Sequence, residues 1–320
     1  MRTLTKLFIG LLLAGSSFAQ IAPPQGTPPG PPQGTGPAAA PRTARVPAGV
    51  KAAPDLVFSS PNGHDLKLDL FLPETPQGKL PVVVWIFSGG FMNNNQKQQE
   101  GAAAWLAQHG YAGAAIDYRL SGEAVYPAQI EDCKAAVRWL RANADKYGLD
   151  ARHIGVWGGS SGGNLAAMLG TSGGVKALEG AGGNPAESST VQAVVDFFGP
   201  TDFLQMDAHA LPGAMKHDPP DSPESKLVGG PIQGNKDKVE RANPVTYVSK
   251  DDPPFFIVHG EQDLLVPVNQ SELLYEALKK AGVGVTFYKI AGAGHGTPEF
   301  NSAMIGAAVL AFFDQTLKVK

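Results

Sequence analysis

The sequence predicts an α/β protein: a doubly wound, mostly parallel sheet opened by an antiparallel hairpin. Three observations carry this reading. Short, wholly apolar runs rich in β-branched residues recur along the chain, as strands buried on both faces require. Between them lie segments with apolar residues at three- and four-residue steps, the period of a helix packed on one side. The first two strand candidates are separated only by the turn residues Pro61-Asn62-Gly63-His64.

Taken in order, Leu56-Val57-Phe58 and Leu66-Lys67-Leu68-Asp69-Leu70-Phe71 make the hairpin, and residues 80–87 and 111–118 the next two strands. Residues 130–147 form one helix, in which Ile130, Cys133, Val137, Leu140 and Ala144 share a face and Gly148 stops the run. Strands follow at 154–157 and 191–198, then at 255–258 and 285–290, with helices over 269–281, capped by Gly282, and over 302–317. Alternation of this kind indicates a sheet covered by helices on both faces. The stretch 201–250, rich in Pro, Gly, Asp and Lys, is too long for a simple connection and is expected to shape a site as a cap-like insertion.

Upstream, Arg2 and Lys6 precede an apolar run from Leu7 to Ala14 and then Ser16-Ser17-Phe18-Ala19-Gln20. This reads as a signal peptide over 1–19, cut after Ala19, and predicts a secreted or periplasmic protein. The run falls short of the roughly 20 residues that span a bilayer, so no stable membrane insertion is expected after cleavage. Residues 20–50 hold nine prolines between Pro23 and Pro47 and almost no large apolar side chain. Such a linker cannot bury enough surface to order itself, which leaves 51–320 as the folded domain. The chain has 26 basic and 29 acidic residues, and the first 50 positions hold four of the basic ones and none of the acidic, so the remainder is net negative. That argues against a nucleic-acid partner. The single cysteine, Cys133, excludes an intrachain disulfide, and its helical neighbours Ile130 and Val137 predict a buried thiol.

Gly158-Gly159-Ser160-Ser161-Gly162-Gly163 follows the strand at 154–157 and precedes the helical run Asn164-Leu165-Ala166-Ala167. G-x-S-x-G alone is weak in a chain with 39 glycines. Placed between strand and helix it describes a sharp turn that lifts a serine hydroxyl clear of the sheet. Two serines satisfy the pattern, Ser160 between Gly158 and Gly162 and Ser161 between Gly159 and Gly163. A serine nucleophile needs a base, and among the seven histidines only His295 lies in a glycine-rich loop just after the last strand. Asp263, on the turn after the preceding strand, supplies the acid in the chain order Ser, Asp, His, with Asp202 as its competitor. Phe87-Ser88-Gly89-Gly90-Phe91 is the expected source of oxyanion donors, because consecutive glycines let backbone N–H groups approach a developing negative charge. No phosphate loop, dinucleotide fingerprint, H-E-x-x-H or Cys/His metal spacing occurs, so no cofactor and no metal are expected.

These segments resemble the α/β-hydrolases of the esterase/lipase type, and in particular secreted bacterial carboxylesterases grouped with bifunctional acetylxylan and feruloyl esterases. The resemblance runs from about Asp55 to Leu317 and includes Asp117-Tyr118-Arg119-Leu120, Phe198-Gly199-Pro200-Thr201-Asp202 and His259-Gly260-Glu261-Gln262-Asp263-Leu264-Leu265-Val266-Pro267. In that family Trp-Gly, then any residue, precedes the nucleophile, which implies Ser160, with the N–H of Ser161 as an oxyanion donor beside those of Gly89 and Gly90. One departure stands out. The family has His-Gly-Gly-Gly where this chain has Phe87-Ser88-Gly89-Gly90. If the missing histidine weakens the loop, Phe87→His with Ser88→Gly is expected to raise kcat.

The resulting expectation is a serine carboxylic ester hydrolase with Ser160 as nucleophile, His295 as base and Asp263 orienting it. A serine peptidase and a catalytically silent binding protein are the alternatives. The insertion has only Phe203 and Tyr247 as aromatics and many charges, so it cannot make a lipase-like amphipathic lid. Asn93-Asn94-Asn95 would place amides near the entrance, unless they serve only as turn residues. Short or aromatic acyl esters of hydrophilic alcohols, such as decorated plant polysaccharide, are the expected substrates.

Overall fold

The computed structural model describes residues 46–318. The expected signal segment and all but the last few residues of the expected linker lie outside the described residues.

Eight strands make one sheet: β1 (Val50–Ser59), β2 (Leu66–Pro73), β3 (Leu80–Ile86), β4 (Ala112–Ile116), β5 (Leu149–Gly159), β6 (Ala193–Phe197), β7 (Phe255–Gly260) and β8 (Val285–Ile290), ordered β1-β2-β4-β3-β5-β6-β7-β8. β1 pairs with β2, and β2 with β4, antiparallel; every other pairing is parallel. All eight predicted strands are present, with the antiparallel opening where the turn residues placed it. The helices are α1 (Gln96–Gln99), α2 (Gly101–Gln108), α3 (Ala128–Ala142), α4 (Ala144–Tyr147), α5 (Ser161–Thr171), α6 (Met206–His209), α7 (Pro223–Val228), α8 (Lys236–Arg241), α9 (Asn269–Ala281) and α10 (Ala303–Leu317).

The two faces of the sheet carry separate cores. Val82, Val84 and Ile86 of β3 join one core with Ile130 and Val137 of α3, Leu165 of α5 and Leu274 of α9. Val83 points the other way, into a core with Leu106 of α2 and Val309 and Phe313 of α10. A wholly apolar strand therefore serves both faces at once, the reason such a run marks a central parallel strand. β8 differs from that expectation. It is an edge strand whose exposure alternates, with Tyr288 39% exposed, because only β7 lies beside it.

Other boundaries differ from the sequence reading as well: β5, for one, starts at Leu149 rather than at 154. β1 starts at Val50, which is buried, rather than at Leu56. The predicted helix over 130–147 breaks at Asn143, whose side-chain amide donates to the Trp139 carbonyl at 2.9 Å. That bond engages a carbonyl at the helix end, a common way for asparagine to compete with the backbone ladder. Gly148 then closes α4 in the left-handed region, at φ 69°. Cys133 is fully buried, and burial pushes its thiol well above the ordinary value.

The segment 201–250 contains only 3₁₀ turns and three short helices, α6, α7 and α8, with none long enough to form a lid. Its apolar residues Leu227, Ile232 and Val239 are buried in the larger core. Among the described residues no helix is long and apolar enough to cross a membrane.

Candidate active site

At the end of β5 the chain turns sharply into α5. Ser160 occupies the turn at φ 55°, ψ −123°, a conformation that a non-glycine residue adopts only when its surroundings enforce it. The Ser160 N–H donates to the Phe197 carbonyl at 2.8 Å, and its carbonyl accepts the Asn164 N–H at 3.0 Å. The flanking glycines make the turn sterically feasible: a Cβ on Gly158 would run into the Gly162 carbonyl, and one on Gly162 into the Ile86 carbonyl. Ser160 is half-buried, whereas Ser161 is the first residue of α5 and 1% exposed. Beneath the turn, Asp196 on β6 is fully buried, and burial pushes its carboxyl up to about 7 against the Gly199 N–H bond at 2.9 Å.

Asp263 and His295 come from the loops after β7 and β8. The Gln262 N–H donates to the Ala293 carbonyl at 2.8 Å and the Glu261 N–H to the Ile290 carbonyl at 3.1 Å, which lashes the two loops together. His295 Nδ1 then lies 2.7 Å from Asp263 Oδ2. Asp263 Oδ1 accepts the N–H groups of Leu265 and Val266, each at 2.8 Å. Burial alone would raise this carboxyl, but the hydrogen bonds from His259 and His295 outweigh it and hold it well below the usual carboxylate range. The Phe198 ring packs against the His295 ring, tilted at 57° with 4.5 Å between centroids, and also lies against the backbone of Gly159 and Gly296. It joins the serine turn to the histidine loop. No hydrogen bond runs from Ser160 Oγ to His295 among the described residues.

Asp202, the competing acid, sits elsewhere in the hydrogen-bond pattern. Its carboxylate caps a 3₁₀ turn, accepting the Leu204 N–H at 3.2 Å and the Gln205 side-chain amide at 2.6 Å. Of the other histidines, His109, His153 and His209 bond to neighbours on their own elements.

The loop after β3 holds Gly89 at φ 143° and Gly90 at φ 61°, and among the described residues nothing accepts a hydrogen bond from the N–H groups of Gly89, Gly90 or Ser161. Its bracing answers the question raised by the missing histidine. Ser88 Oγ donates to the Gly159 carbonyl at 2.9 Å, the Ser88 N–H donates to Gln99 Oε1 at 2.9 Å, and the Ser88 carbonyl accepts the Asn94 amide at 2.7 Å. Phe87 is buried and stacked on Tyr118 at 4.2 Å. The loop is thus not under-supported, and the expectation that restoring His and Gly would raise kcat loses its basis. Asn94 and Asn95 are structural, the latter capping α1 through the Gln98 N–H at 3.2 Å. Asn93 and Asn95 are exposed, so of the three only the Asn94 amide is fully committed to the loop.

Sequence reasoning passed over two groups. His259, inside the quoted His259-Gly260-Glu261-Gln262-Asp263 segment, lies 3.2 Å from Asp263 Oδ2 and is fully buried. His217, in the insertion, bonds Glu224 Oε2 through Nδ1 and the Leu265 carbonyl through Nε2, both at 2.8 Å, and so pins the insertion to the acid loop. The first was signalled by its motif; the second by nothing in the local sequence.

The BD-FAE family profile matches residues 68–278, well over half of the chain. Among curated relatives, Esterase LipC of Mycobacterium tuberculosis is 29% identical over 247 residues, covering 76% of this chain and 60% of its own length. The chain spans about half the length of the curated relatives it matches. Among solved structures, a truncated carbohydrate esterase from gut microbiota is 33% identical with a TM-score of 0.77, covering 84% of this chain and 97% of its own. A thermophilic esterase of the Planctomycetes species Thermogutta terrifontis, solved with propionate bound, is 26% identical with a TM-score of 0.65, covering 82% and 92%.

Proposed function

The chain belongs to the BD-FAE family of α/β-hydrolases, the bifunctional feruloyl and acetylxylan esterases, and from that premise we propose that it is an exported carboxylic ester hydrolase working through Ser160, His295 and Asp263. The observation that carries the proposal is the His295–Asp263 hydrogen bond at 2.7 Å, held by loops on the strands that follow the strained Ser160 turn.

In this reading His295 Nε2 takes the Ser160 proton as Oγ attacks the ester carbonyl. Asp263 holds the proton on Nδ1 and stabilises the imidazolium that forms. The tetrahedral oxyanion is met by the unengaged N–H groups of Gly89, Gly90 and Ser161, each with a typical worth of about 3 kcal/mol. The imidazolium returns its proton to the leaving alcohol, and water then deacylates the serine by the same path. The absence of a Ser160–His295 bond fits this scheme, because such bonds commonly tighten only in the Michaelis complex.

The substrates are short-chain or aromatic acyl esters carried by plant polysaccharide. Pro223 of the insertion packs against the donor loop, since a Cβ on Gly90 would lie 3.3 Å from it, so the insertion borders the site. Leu264 and Leu265, 48% and 45% exposed next to Asp263, offer apolar surface to a sugar face or an aromatic ring. The full chain, assayed on p-nitrophenyl acetate, butyrate and palmitate, methyl ferulate and acetylated xylan, is expected to favour acetyl and butyryl over palmitoyl by about 100-fold or more in kcat/KM. A maximum at palmitoyl with activation at an oil interface would overturn the substrate assignment.

A further inference from the structure

Two histidines face Asp263 Oδ2, and the mechanism uses only one. His259, on β7, has its Nε2 2.9 Å from the Val266 carbonyl and 3.2 Å from Asp263 Oδ2. Both partners are acceptors, so Nε2 must carry a hydrogen. Ser271 of α9 sits 2.7 Å from Nδ1 and holds the other side of the ring. The side chain is completely buried, and the Phe198 ring that packs against His295 also meets it edge-on, at 6.4 Å between centroids.

We propose that His259 is a positioning residue for the triad: its Nε2–H, bonded to the Val266 carbonyl, also lies 3.2 Å from the Asp263 oxygen that serves His295 and so sets how much negative charge that oxygen offers the base. The inference rests on the Ser160–His295–Asp263 reading. Other charged groups near the ring are few. Lys289, opposite His259 on β8, is committed to Glu272 of α9 at 2.7 Å. On β6, Asp196 stands in register with Ile257, two residues before His259, and bonds Gly199. Among the described residues Asp263 is therefore the one carboxylate that His259 contacts.

The ring's partners make the proposal directional. A carboxylate oxygen shared between two N–H donors holds each less strongly than an oxygen serving one. Deleting the His259 donor leaves Oδ2 to His295 alone, which stabilises the imidazolium and also frees the carboxylate to rotate.

The test measures kcat and KM for p-nitrophenyl acetate from pH 5 to 9 in the full-length native chain, His259→Phe, His259→Gln and Ser271→Ala, with Ser160→Ala as the blank. His259→Phe is expected to lower kcat about tenfold with KM within about twofold, and to move the acidic limb of kcat/KM upward by roughly half a unit to one unit. His259→Gln, whose amide nitrogen takes the place of Nε2, should return the limb to its native position. Ser271→Ala should shift it in the same direction as His259→Phe, by less. A native limb in His259→Phe, whatever its melting temperature, would reduce His259 to packing and overturn the proposal. Should that variant not fold, a native limb in Ser271→Ala overturns it equally. Activity retained by Ser160→Ala is a separate failure and would sink the triad reading itself.

Discussion

Replacing Asp263 by asparagine tests the acid assignment most sharply, because every acceptor position of this carboxylate is in use. Oδ1 takes the Leu265 and Val266 N–H groups at 2.8 Å, and Oδ2 faces His295 Nδ1 at 2.7 Å and His259 Nε2 at 3.2 Å. Asparagine keeps one oxygen. Turning its NH₂ toward the two backbone donors would leave both unpaired, at a cost of about 1–3 kcal/mol each. Turning it toward the histidines costs less, since His259 retains the Val266 carbonyl and His295 can move its proton from Nδ1 to Nε2. The second arrangement wins and disables the base, because an Nε2 that carries a proton cannot accept one from Ser160. A wrong-tautomer trap of this kind lowers kcat by about 10⁴ in a serine hydrolase, which is about 5.4 kcal/mol at 1.36 kcal/mol per tenfold. Steady-state kinetics on p-nitrophenyl acetate should show that loss in kcat with little change in KM, while Asp202→Asn stays within about twofold of native. A kcat for Asp263→Asn within tenfold of native, or a collapse in Asp202→Asn, would refute the assignment.

Ser160→Ala should lower kcat by about a million-fold, the scale for a removed triad nucleophile, whereas Ser161→Ala keeps its backbone donor and most of its activity; the reverse pattern would move the nucleophile one residue on. Phe87→His with Ser88→Gly should now lower kcat and melting temperature, because it removes the Ser88–Gly159 bond, worth about 1 kcal/mol, and the stack on Tyr118; a raised kcat would mean the loop is under-braced after all. His217 should make stability pH-dependent. Burial pulls its pKa down, but the bond and charge of Glu224 raise it overall above the ordinary imidazole value. Its stabilisation is therefore complete below the unfolded value of about 6.5 and is lost as pH rises through the folded one. The melting-temperature gap between native protein and His217→Gln should be widest near pH 6 and narrow toward pH 9, and a gap that grows with pH would contradict this.

What was legible in the sequence was whatever depends on local chemistry. The central strands could be read because burial on both faces forces an unbroken apolar run, as in Val82-Val83-Val84. The serine turn could be read because Gly158 and Gly162 face carbonyls that exclude a side chain. Illegible were contacts set by distance along the chain. Nothing around Ser88 announces that its hydroxyl reaches Gly159, 71 residues away, nor does Met215-Lys216-His217 announce the Leu265 carbonyl, 48 residues away. The split of α3 from α4 was missed because the apolar period runs on unbroken through Asn143, and only its side-chain bond reveals the end.

The same division explains where the backbone is strained. Among the described residues six non-glycine residues adopt positive φ, and four of them, Phe91, Asn94, Ser160 and Phe198, lie in the donor loop, the serine turn and the turn after β6. Such conformations cost on the order of 1–3 kcal/mol each and persist only when neighbours over-determine them. Here the neighbours can be named. The Phe91 carbonyl accepts the Ser121 N–H at 2.8 Å, the Ser160 N–H is fixed by Phe197 at 2.8 Å and the Phe198 N–H by Val258 at 2.8 Å. Ser160 and Phe198 are therefore tied in sequence across β5, β6 and β7. The strain that lifts the serine hydroxyl is borne by the sheet edge that also carries the acid loop, so rigid central strands hold the nucleophile and the base partner in one register. The histidine loop is different. It rests on the exposed edge strand β8 and depends on the Gln262–Ala293 and Asp263–His295 bonds for its position. Of the three proposed triad residues, His295 is the one held chiefly by its partners, which makes the acid loop, rather than the strand beneath the histidine, the element that sets its geometry.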